Sequence, residues 1–476
     1  MLYRDPNWIR DVIGTPQGTK TPYSNLTTYY YVGPGGNDGN PGTLALPWLT
    51  LAHAFANLPA GAVLLALPGT FIETNGGGYW AVALALATWS YIASQDGVEG
   101  DAVVEGNAST AYNTFLTGSS AYLYFYQFKF TSRGTSGHAL RITGPVNYVT
   151  FDTCAIIAVT GDYYGLYLSA ATYDNLYFFN CTISGPAVGV YINGNGDASS
   201  MATFRNCTIQ SNTAGANFGV QGQASSGPTP LTFDNCTIND AGAGGGALQI
   251  NGGAVTLTGC LLSNTGAYTC VCLGADADNG GYPTTISMIG CTVSKPGSAA
   301  GHAVCIGSGV SQGLIDSLNS LTAYDYGLVI KECTNVEVRN SNIIGAAGAN
   351  AQAAVLFKGA TGQNVHNNNI TALGTNPSGN WAVKSEAGGT GDKNANWSLT
   401  HNVITAIGPN AQALNLGGAS ADAGGGVCDY NTYILKNGAS LGTVYGTVVN
   451  SLAQLQAAWA GYSNPGNDAH SVVIFM

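Results

Sequence analysis

Three nearly identical stretches follow one another in this chain: FFNCTI from Phe178, FRNCTI from Phe204 and FDNCTI from Phe233. They begin 26 and 29 residues apart, and each places a cysteine between an asparagine and a threonine. The same pattern, in which Ser or Asn replaces Cys late in the chain, surrounds Cys154, Cys260, Cys291, Ser341, Asn368 and Asn402. A phrase that returns at nearly constant spacing indicates stacked structural units.

A second phrase runs in step with the first. It is a glycine followed by alternating apolar positions, as in GHALRI from Gly137, GVYI from Gly189 and GALQI from Gly246. One unit therefore holds two or three short strands, and no unit of this size can bury its own apolar face. Long helical stretches between the strands are missing, which excludes doubly wound α/β folds and barrels with outer helices. The sequence predicts an all-β, right-handed parallel β-helix of roughly 13 coils with short capping helices at both ends.

Composition and charge agree with this prediction and exclude several classes of partner. Glycine accounts for 67 of 476 residues, and only 8% of the residues are charged. The net charge is −11 and there is no basic run, so nucleic acid is not an expected partner. The chain has no apolar stretch long enough to span a membrane. Its start, MLYRDPNWIRDVIG, lacks the apolar core of a signal peptide, so no signal peptide is expected.

The eleven cysteines could form disulfides or bind metal. Most of them occupy one position of the repeat, and no secretion signal is evident, so we expect reduced thiols in the core. The stretch DADNGG from Asp276 begins like a calcium loop but lacks the distal glutamate, which favours a solvated turn. We therefore predict no metal site and no cofactor. The Asn-Cys-Thr phrases match a glycosylation acceptor, but Asn-rich turns produce that match by themselves.

The glycine-led strands offer the most informative surface. Because side chains alternate along a strand, one row should point outward on successive coils. Its predicted members are Arg141, Tyr167, Tyr191, Gln221, Gln249, Cys272 and Cys305, continued by Lys358, Lys384 and Asn415. Exposed aromatic rings beside amide and guanidinium donors suit sugar rings, which have apolar faces and hydroxyl groups. Two alternatives remain open: a subunit interface rich in Tyr and Arg, and ordinary tyrosine stacking on a β-surface.

Both ends of such a stack must be covered. Near the start, Thr50 can cap a short helix whose apolar face is Leu51, Ala54, Phe55 and Leu58. Near the end, Ser451 can cap a second helix with Leu452, Leu455 and Trp459 on its apolar face.

The two ends also carry a family resemblance. The stretch YYYVGPGGNDGNPGTLALPWLTLAHAFANLPAGAVLLALPGTF resembles the opening of pectate-lyase-like right-handed β-helix proteins, and DYNTYI, SLAQLQAAWAG and GNDAHSV resemble their closing segment. With the repeats, the resemblance covers about residues 29–476. That superfamily includes lyases, hydrolases and inert fibres, so the resemblance implies a fold and no single activity. Family lyases that act on uronic acids use a Lys or Arg base, often with calcium held by Asp, and neither maps onto a matching motif here.

The predicted organisation has four parts. Residues 1–28 lie outside the resemblance and form an arm whose apolar residues, Trp8, Ile9, Val12 and Ile13, suit docking on another protein. Residues 29–62 form the N-terminal capping segment with its short helix. Residues 63–435 form the β-helix shaft, and residues 436–476 form the C-terminal closing segment with the second helix.

β-Helix proteins with a docking arm and no secretion signal resemble phage tailspikes and related virion proteins. The resemblance implies a virion structural protein, tailspike-like or fibre-like and trimeric, made in the host cytoplasm. It would contact other virion proteins through residues 1–28 and host surface glycan along the shaft. The first alternative is a polysaccharide lyase or glycoside hydrolase that acts on an acidic polysaccharide. The second is an extracellular cell-surface adhesion module. An enzyme would need at least two convergent titratable groups or a bound cation.

Overall fold

A computed structural model describes residues 28–72, 80–82, 85–95, 101–105, 114–116, 120–132, 137–143, 145–159, 163–169, 173–194, 201–212, 218–224, 230–242, 244–266, 268–274, 284–296, 301–322, 325–345, 353–374, 380–387, 393–417, 422–424, 426–461 and 467–476. These residues fall into two compact units. The first unit contains residues up to 191 together with 201–208, and the second contains 192–194 together with the residues from 209 onward. The predicted arm residues Trp8, Ile9, Val12 and Ile13 and the stretch 276–281 lie outside the described residues.

Three sets of strands build both units, and within each set the strands pair in parallel with few exceptions. The first sheet comprises Tyr29–Val32, Val63–Ala66, Ala85–Ser94, Ser120–Tyr126, Val146–Asp152, Tyr173–Phe179, Ala202–Arg205, Leu231–Asp234, Gly253–Thr258, Thr284–Ile289, Val310–Asp316, Val336–Arg339, Asn364–His366, Ser398–Thr400 and Val427–Asp429. The second sheet comprises Gly69–Ile72, Ala102–Glu105, Phe128–Thr131, Ala155–Ile157, Thr182–Gly185, Thr208–Ser211, Thr237–Asp240, Leu261–Asn264, Thr292–Lys295, Asn319–Thr322, Asn342–Gly345, Asn369–Leu373, Val403–Ile407, Thr432–Lys436 and Val472–Phe475.

The third sheet is formed mainly by the glycine-led strands. It comprises Trp80–Val82, Thr114–Leu116, Leu140–Ile142, Tyr164–Leu168, Val188–Gly194, Phe218–Ala224, Gly246–Ile250, Val271–Leu273, Val304–Ile306, Tyr326–Lys331, Ala353–Lys358, Asn380–Glu386, Ala411–Leu416, Ser440–Val444 and Thr447–Val449. A short pair, Asn394–Ala395 with Asp422–Gly424, is separate from the three sheets. Each sheet has fifteen described strands. The predicted all-β parallel solenoid is confirmed, although the number of coils differs somewhat from the roughly 13 predicted.

The core consists of inward rows in which like residues stack. In the first unit, the rings of Phe125, Phe151, Phe178 and Phe204 stack almost in parallel, with centroid separations of 4.9, 5.1 and 4.9 Å. Each of these rings is buried. Because parallel strands lie about 4.8 Å apart, equal registers place the same ring of each repeat on the one before it.

The corner between the first and second sheets explains the Asn-Cys-Thr phrase. The asparagine adopts left-handed backbone angles, with φ of 53° at Asn180, and Asn tolerates this region better than most residues. The Asn206 amide donates to Asn180 Oδ1 at 3.2 Å, and the Asn180 amide donates to Asp152 Oδ1 at 2.9 Å. The side chains of the corner asparagines therefore form hydrogen bonds with side chains of the neighbouring coils, along the outside of the corner.

The cysteine that follows each corner points into the core. All eleven cysteines are buried and form no disulfide, which confirms the prediction of core thiols. Cys207 Sγ lies 3.4 Å from the carbonyl oxygen of Phe178 on the preceding coil. Burial is the largest cause that raises the pKa of the Cys181 thiol.

Two short helices, α1 (Leu51–Asn57) and α2 (Leu452–Gly461), confirm the predicted caps. Thr50 Oγ1 accepts a hydrogen bond from His53 N at 3.1 Å, and the apolar face predicted for α1 is buried. Ser451 Oγ accepts from Gln454 N at 3.3 Å. Leu455 and Trp459 of α2 are buried, while Leu452 is only half-buried. Among the described residues, neither helix has the length and hydropathy to cross a membrane.

Candidate functional site

The predicted outward row lies on the third sheet. In the first unit, Arg141 and Tyr167 face each other across paired strands, as the sequence predicts. The Tyr167 and Tyr191 rings stack with centroids 5.5 Å apart, and the Arg141 guanidinium carbon lies 5.1 Å from the centre of the Tyr167 ring. All three side chains are half-buried, so each one exposes part of its surface. We call Arg141, Tyr167, Tyr191, His138 and Tyr164 the aromatic ladder.

The sequence analysis did not predict two members of the aromatic ladder, His138 and Tyr164. His138 stacks on Tyr164 at 4.9 Å and on Tyr167 at 4.7 Å, and Tyr164 stacks on Tyr191 at 4.4 Å. The available signal was their place in the repeat, since His138 follows the leading glycine and Tyr164 precedes it. Stacking of neighbouring coils brings these scattered positions into one continuous stack of rings, in which His138 is buried.

The ionisation of the aromatic ladder follows from its burial. Burial, with a smaller contribution from Arg141, lowers the pKa of His138 to about 3, so its ring is neutral near pH 7. Burial raises the pKa of Tyr164 to about 12 and also raises the pKa of Tyr191, so both hydroxyl groups keep their protons. The ladder therefore combines one positive charge, apolar ring faces and neutral hydroxyl donors.

In the second unit, the same row is interrupted. Gln221 and Gln249 lie in register, and the Gln221 amide donates to Gln249 Oε1 at 3.3 Å. The row then passes through Cys272, Cys305, Val329 and Leu356, each less than 10% exposed and packed with Tyr326, Ala353 and Trp381. Cys272 and Cys305 thus belong to the predicted row by register but do not reach the surface.

The two predicted lysines lie at different places on this sheet. Lys384 continues the row, between Leu356 and Asn415. Its ammonium group lies 4.5 Å from the centre of the Trp381 ring and 2.5 Å from Glu386 Oε1. Lys358 lies two residues farther along its strand, in register with Lys331 and Glu386, so its predicted place in the row is wrong. The register of the paired strands therefore decides that Lys384, and not Lys358, continues the row.

A second group of charged and polar side chains, unforeseen from the sequence, lies on the first sheet of the second unit. Arg339 Nε donates to Asp316 Oδ2 at 2.9 Å, and Arg339 Nη1 donates to Glu337 Oε1 at 3.1 Å. His366 Nε2 lies 3.0 Å from the same Glu337 oxygen. We call these four residues the ionic cluster. The signal in the sequence was the alternation in VEVR, followed by NVH one repeat later.

Hydrogen bonds favour the charged form of Asp316 and orient the His366 ring. The Asn340 amide donates to Asp316 Oδ1 at 3.0 Å, and this bond is the largest cause that lowers the pKa of Asp316, to which Arg339 adds. The Asn367 amide lies 3.0 Å from His366 Nδ1. Because an amide N–H donates to Nδ1, the ring proton belongs on Nε2, where it points to Glu337. The cluster brings together two carboxylates, a guanidinium and an imidazole.

Comparison with known proteins bears on the fold. The family model of the right handed beta helix region matches residues 101–262 and 188–421. No curated protein sequence gives a significant match.

Several solved structures are similar in fold. Tailspike protein 3 of bacteriophage CBA120 is 12% identical, with a TM-score of 0.40, and the match covers 89% of this chain and 60% of that chain. A mannuronic acid specific polysaccharide lyase from human gut microbiota is 10% identical, with a TM-score of 0.41 and coverage of 94% and 92%. A pectate lyase is 14% identical, with a TM-score of 0.34 and coverage of 85% and 81%.

Proposed function

We propose, from the premise that this chain belongs to the right-handed β-helix family, that it is a glycan-binding protein whose aromatic ladder contacts sugar. The observation that carries the proposal is the continuous contact of Arg141, His138, Tyr164, Tyr167 and Tyr191 on neighbouring coils. Ring faces can pack on the apolar faces of pyranoses, while the guanidinium and the hydroxyl groups can bond sugar hydroxyls.

Its proposed setting is a virion. In this proposal the chain is a structural protein of the tailspike or tail-fibre kind and assembles as a homotrimer. Residues 1–28 dock it on other virion proteins, and host surface polysaccharide is its external ligand. The apolar residues of the arm, which suit docking on another protein, support this setting. The mass of the full chain in solution tests the assembly: a trimer is expected, and a monomer at micromolar concentration would contradict it.

Binding to bacterial surface polysaccharides tests the aromatic ladder. Tyr167→Ala removes the ring that contacts both Arg141 and Tyr191, and we expect affinity to fall about 10-fold. Arg141→Ala should weaken binding to a similar extent. Tyr268→Ala is the matched control, because Tyr268 is an exposed tyrosine of the second unit outside the ladder. Equal affinity of the wild type and both ladder variants would contradict the proposal.

The ionic cluster favours a second candidate function. Most glycoside hydrolases use a pair of carboxylates, and His or Glu side chains can act as the general acid or base in other reactions. In this alternative, Glu337 and His366 exchange protons with an acidic polysaccharide, and Arg339 faces its carboxylate.

Two activity assays on uronic-acid polymers test this alternative. New unsaturated ends would indicate a lyase, and new reducing ends alone would indicate a hydrolase. Activity should disappear in Glu337→Gln and persist in Tyr167→Ala if the ionic cluster is the active site. Activity that survives in Glu337→Gln would exclude this cluster.

A further inference from the structure

The outer face of the first sheet in the first unit carries an irregularity that repeats on three neighbouring strands. Tyr122, Tyr148 and Asn175 each adopt left-handed backbone angles, with φ of 59°, 54° and 56°. The pairing continues in register on both sides of these residues, so they lie opposite one another. The left-handed region suits Asn but is costly for a tyrosine, and such outliers cluster at functional sites. Asparagine suits this backbone conformation, so its presence at position 175 is explained by the backbone alone. Tyrosine does not suit it, so the presence of Tyr122 and Tyr148 must have another reason.

The two tyrosines form the beginning of a stack. Their rings are nearly parallel, 13° apart, with centroids separated by 5.1 Å. Trp89 stands almost perpendicular to both, 5.9 Å from Tyr122 and 6.3 Å from Tyr148, and forms a side wall. The rings are half-buried, as are Asn175 and the neighbouring Tyr177. The 5.1 Å separation is close to the distance between neighbouring strands, so the stack follows the rise of the coils.

At the third strand, the stack stops. Asn175 occupies the position where a third ring would lie, and its side chain ends where a tyrosine ring would begin. The row of stacked rings therefore ends at Tyr148. The Tyr177 hydroxyl donates to Asn175 Oδ1 at 3.1 Å, which places an amide and a phenol oxygen beside this end of the row. We call Tyr148, Asn175, Tyr177 and the wall residue Trp89 the ledge.

We propose that the ledge binds one pyranose ring of an uncharged glycan, which takes the place of the missing third ring. A pyranose has an apolar face that packs on an aromatic ring and hydroxyl groups that bond amide and phenol groups. The ledge is built from uncharged side chains, whereas the aromatic ladder contains Arg141, so the two sites should prefer different sugars. The inference rests on the proposed glycan-binding function and adds a second site with its own ligand class.

The test uses the full chain and titration calorimetry with neutral gluco-, galacto- and manno-oligosaccharides and with oligogalacturonate. Asn175→Tyr supplies the third ring from the protein itself and should abolish binding of the neutral sugar, with a small loss of thermal stability because a tyrosine is costly at this left-handed position. Tyr148→Asn removes the stacking face but leaves a residue that suits the left-handed backbone, and should weaken binding about 10-fold. Tyr148→Phe keeps the ring and should bind within about twofold of the wild type.

The outcomes separate this site from the aromatic ladder. Loss of neutral-sugar binding in Asn175→Tyr and Tyr148→Asn, with binding retained in Tyr167→Ala, would support the ledge. Loss in Tyr167→Ala alone would overturn the ledge and leave the proposed function standing. Neutral-sugar binding that none of these variants alters would overturn the ledge as well, and absence of binding to every oligosaccharide would count against both sites.

Discussion

The same inward corner position is filled in two different ways in this molecule. In the first unit it carries thiols, at Cys154, Cys181 and Cys207, and late in the second unit it carries amides, at Asn368, Asn402 and Asn431. Every one of these side chains is at most 1% exposed. The thiols contact backbone carbonyl oxygens, a weak kind of hydrogen bond, as in the 3.2 Å between Cys181 Sγ and the Phe179 oxygen.

The amides are bonded on both sides. Asn402 donates through Nδ2 to the Val365 carbonyl oxygen at 3.0 Å and to Asn431 Oδ1 at 3.2 Å. Its own Oδ1 accepts from the Asn368 backbone N–H at 3.0 Å. The thiol corners thus depend on apolar burial, while the amide corners depend on a chain of hydrogen bonds that links each coil to the next. A β-helix accepts either solution provided that the side chain is small and no buried polar group is left unpaired.

The largest effect is expected where the amide chain is cut. Asn402→Leu has a similar volume but leaves the Val365 carbonyl, the Asn368 N–H and Asn431 Oδ1 without this partner. We expect the free energy of unfolding in urea to fall by about 4 kcal/mol, since each unpaired buried group costs about 1–3 kcal/mol. Asn212→Leu, at an exposed position of the same unit, is the control and should change it by less than about 0.5 kcal/mol. A loss no larger than that of a thiol variant would remove the distinction between the two corners.

A smaller effect is expected at a thiol corner. Cys181→Ala removes one buried sulfur, and we expect a loss of about 1 kcal/mol, measured by the same urea titration. Cys181→Ser should be no more stable than Cys181→Ala, because this corner needs apolar volume rather than a donor. A serine variant as stable as the wild type would show that the thiol acts through its hydrogen bond, as the amides do.

The smallest effect on stability is expected for Asp316, whose side chain lies on the outside of a corner. The pKa of Asp316 is lowered in the folded protein, so its contribution to stability is fully present above the ordinary pKa of 3.8 and is lost as pH falls through the folded value. Asp316→Asn should lower stability by about 0.5 kcal/mol near neutral pH, because both side chains are partly exposed and solvent screens the pair. The difference in melting temperature between the two proteins should vanish in acid. A difference that persists there would mean that the carboxylate charge is not the cause.

Much of this fold could be derived from local patterns. The spacing of FFNCTI and its relatives sets the period, and the alternation in phrases such as GLYL separates inward from outward positions. Thr50 and Ser451 mark the two helix starts, because a hydroxyl before an apolar stripe satisfies the first free N–H groups. The contact between Arg141 and Tyr167 followed as well, since each lies at an outward position between two inward apolar residues of a glycine-led strand.

The features that the sequence did not predict depend on which strand positions pair and on which side chains cover those positions. By its own sequence, Lys358 resembles the outward residues of earlier repeats, but its strand pairs in a register that places it beside Lys331 and Glu386. Cys272 and Cys305 occupy outward positions, yet Tyr326 and Trp381 pack with their row. The left-handed angles of Tyr122 and Tyr148 also contradict the local preference of tyrosine.

The sequence by itself determined the repeat, the direction of each side chain relative to the core, the caps and the chemistry available at each corner. Only the tertiary structure decided which of the outward side chains meet: the aromatic ladder, the ionic cluster and the ledge. The physical reason is that these groups lie one coil apart, about two to three dozen residues along the chain, so their contacts depend on register and cover rather than on neighbouring residues.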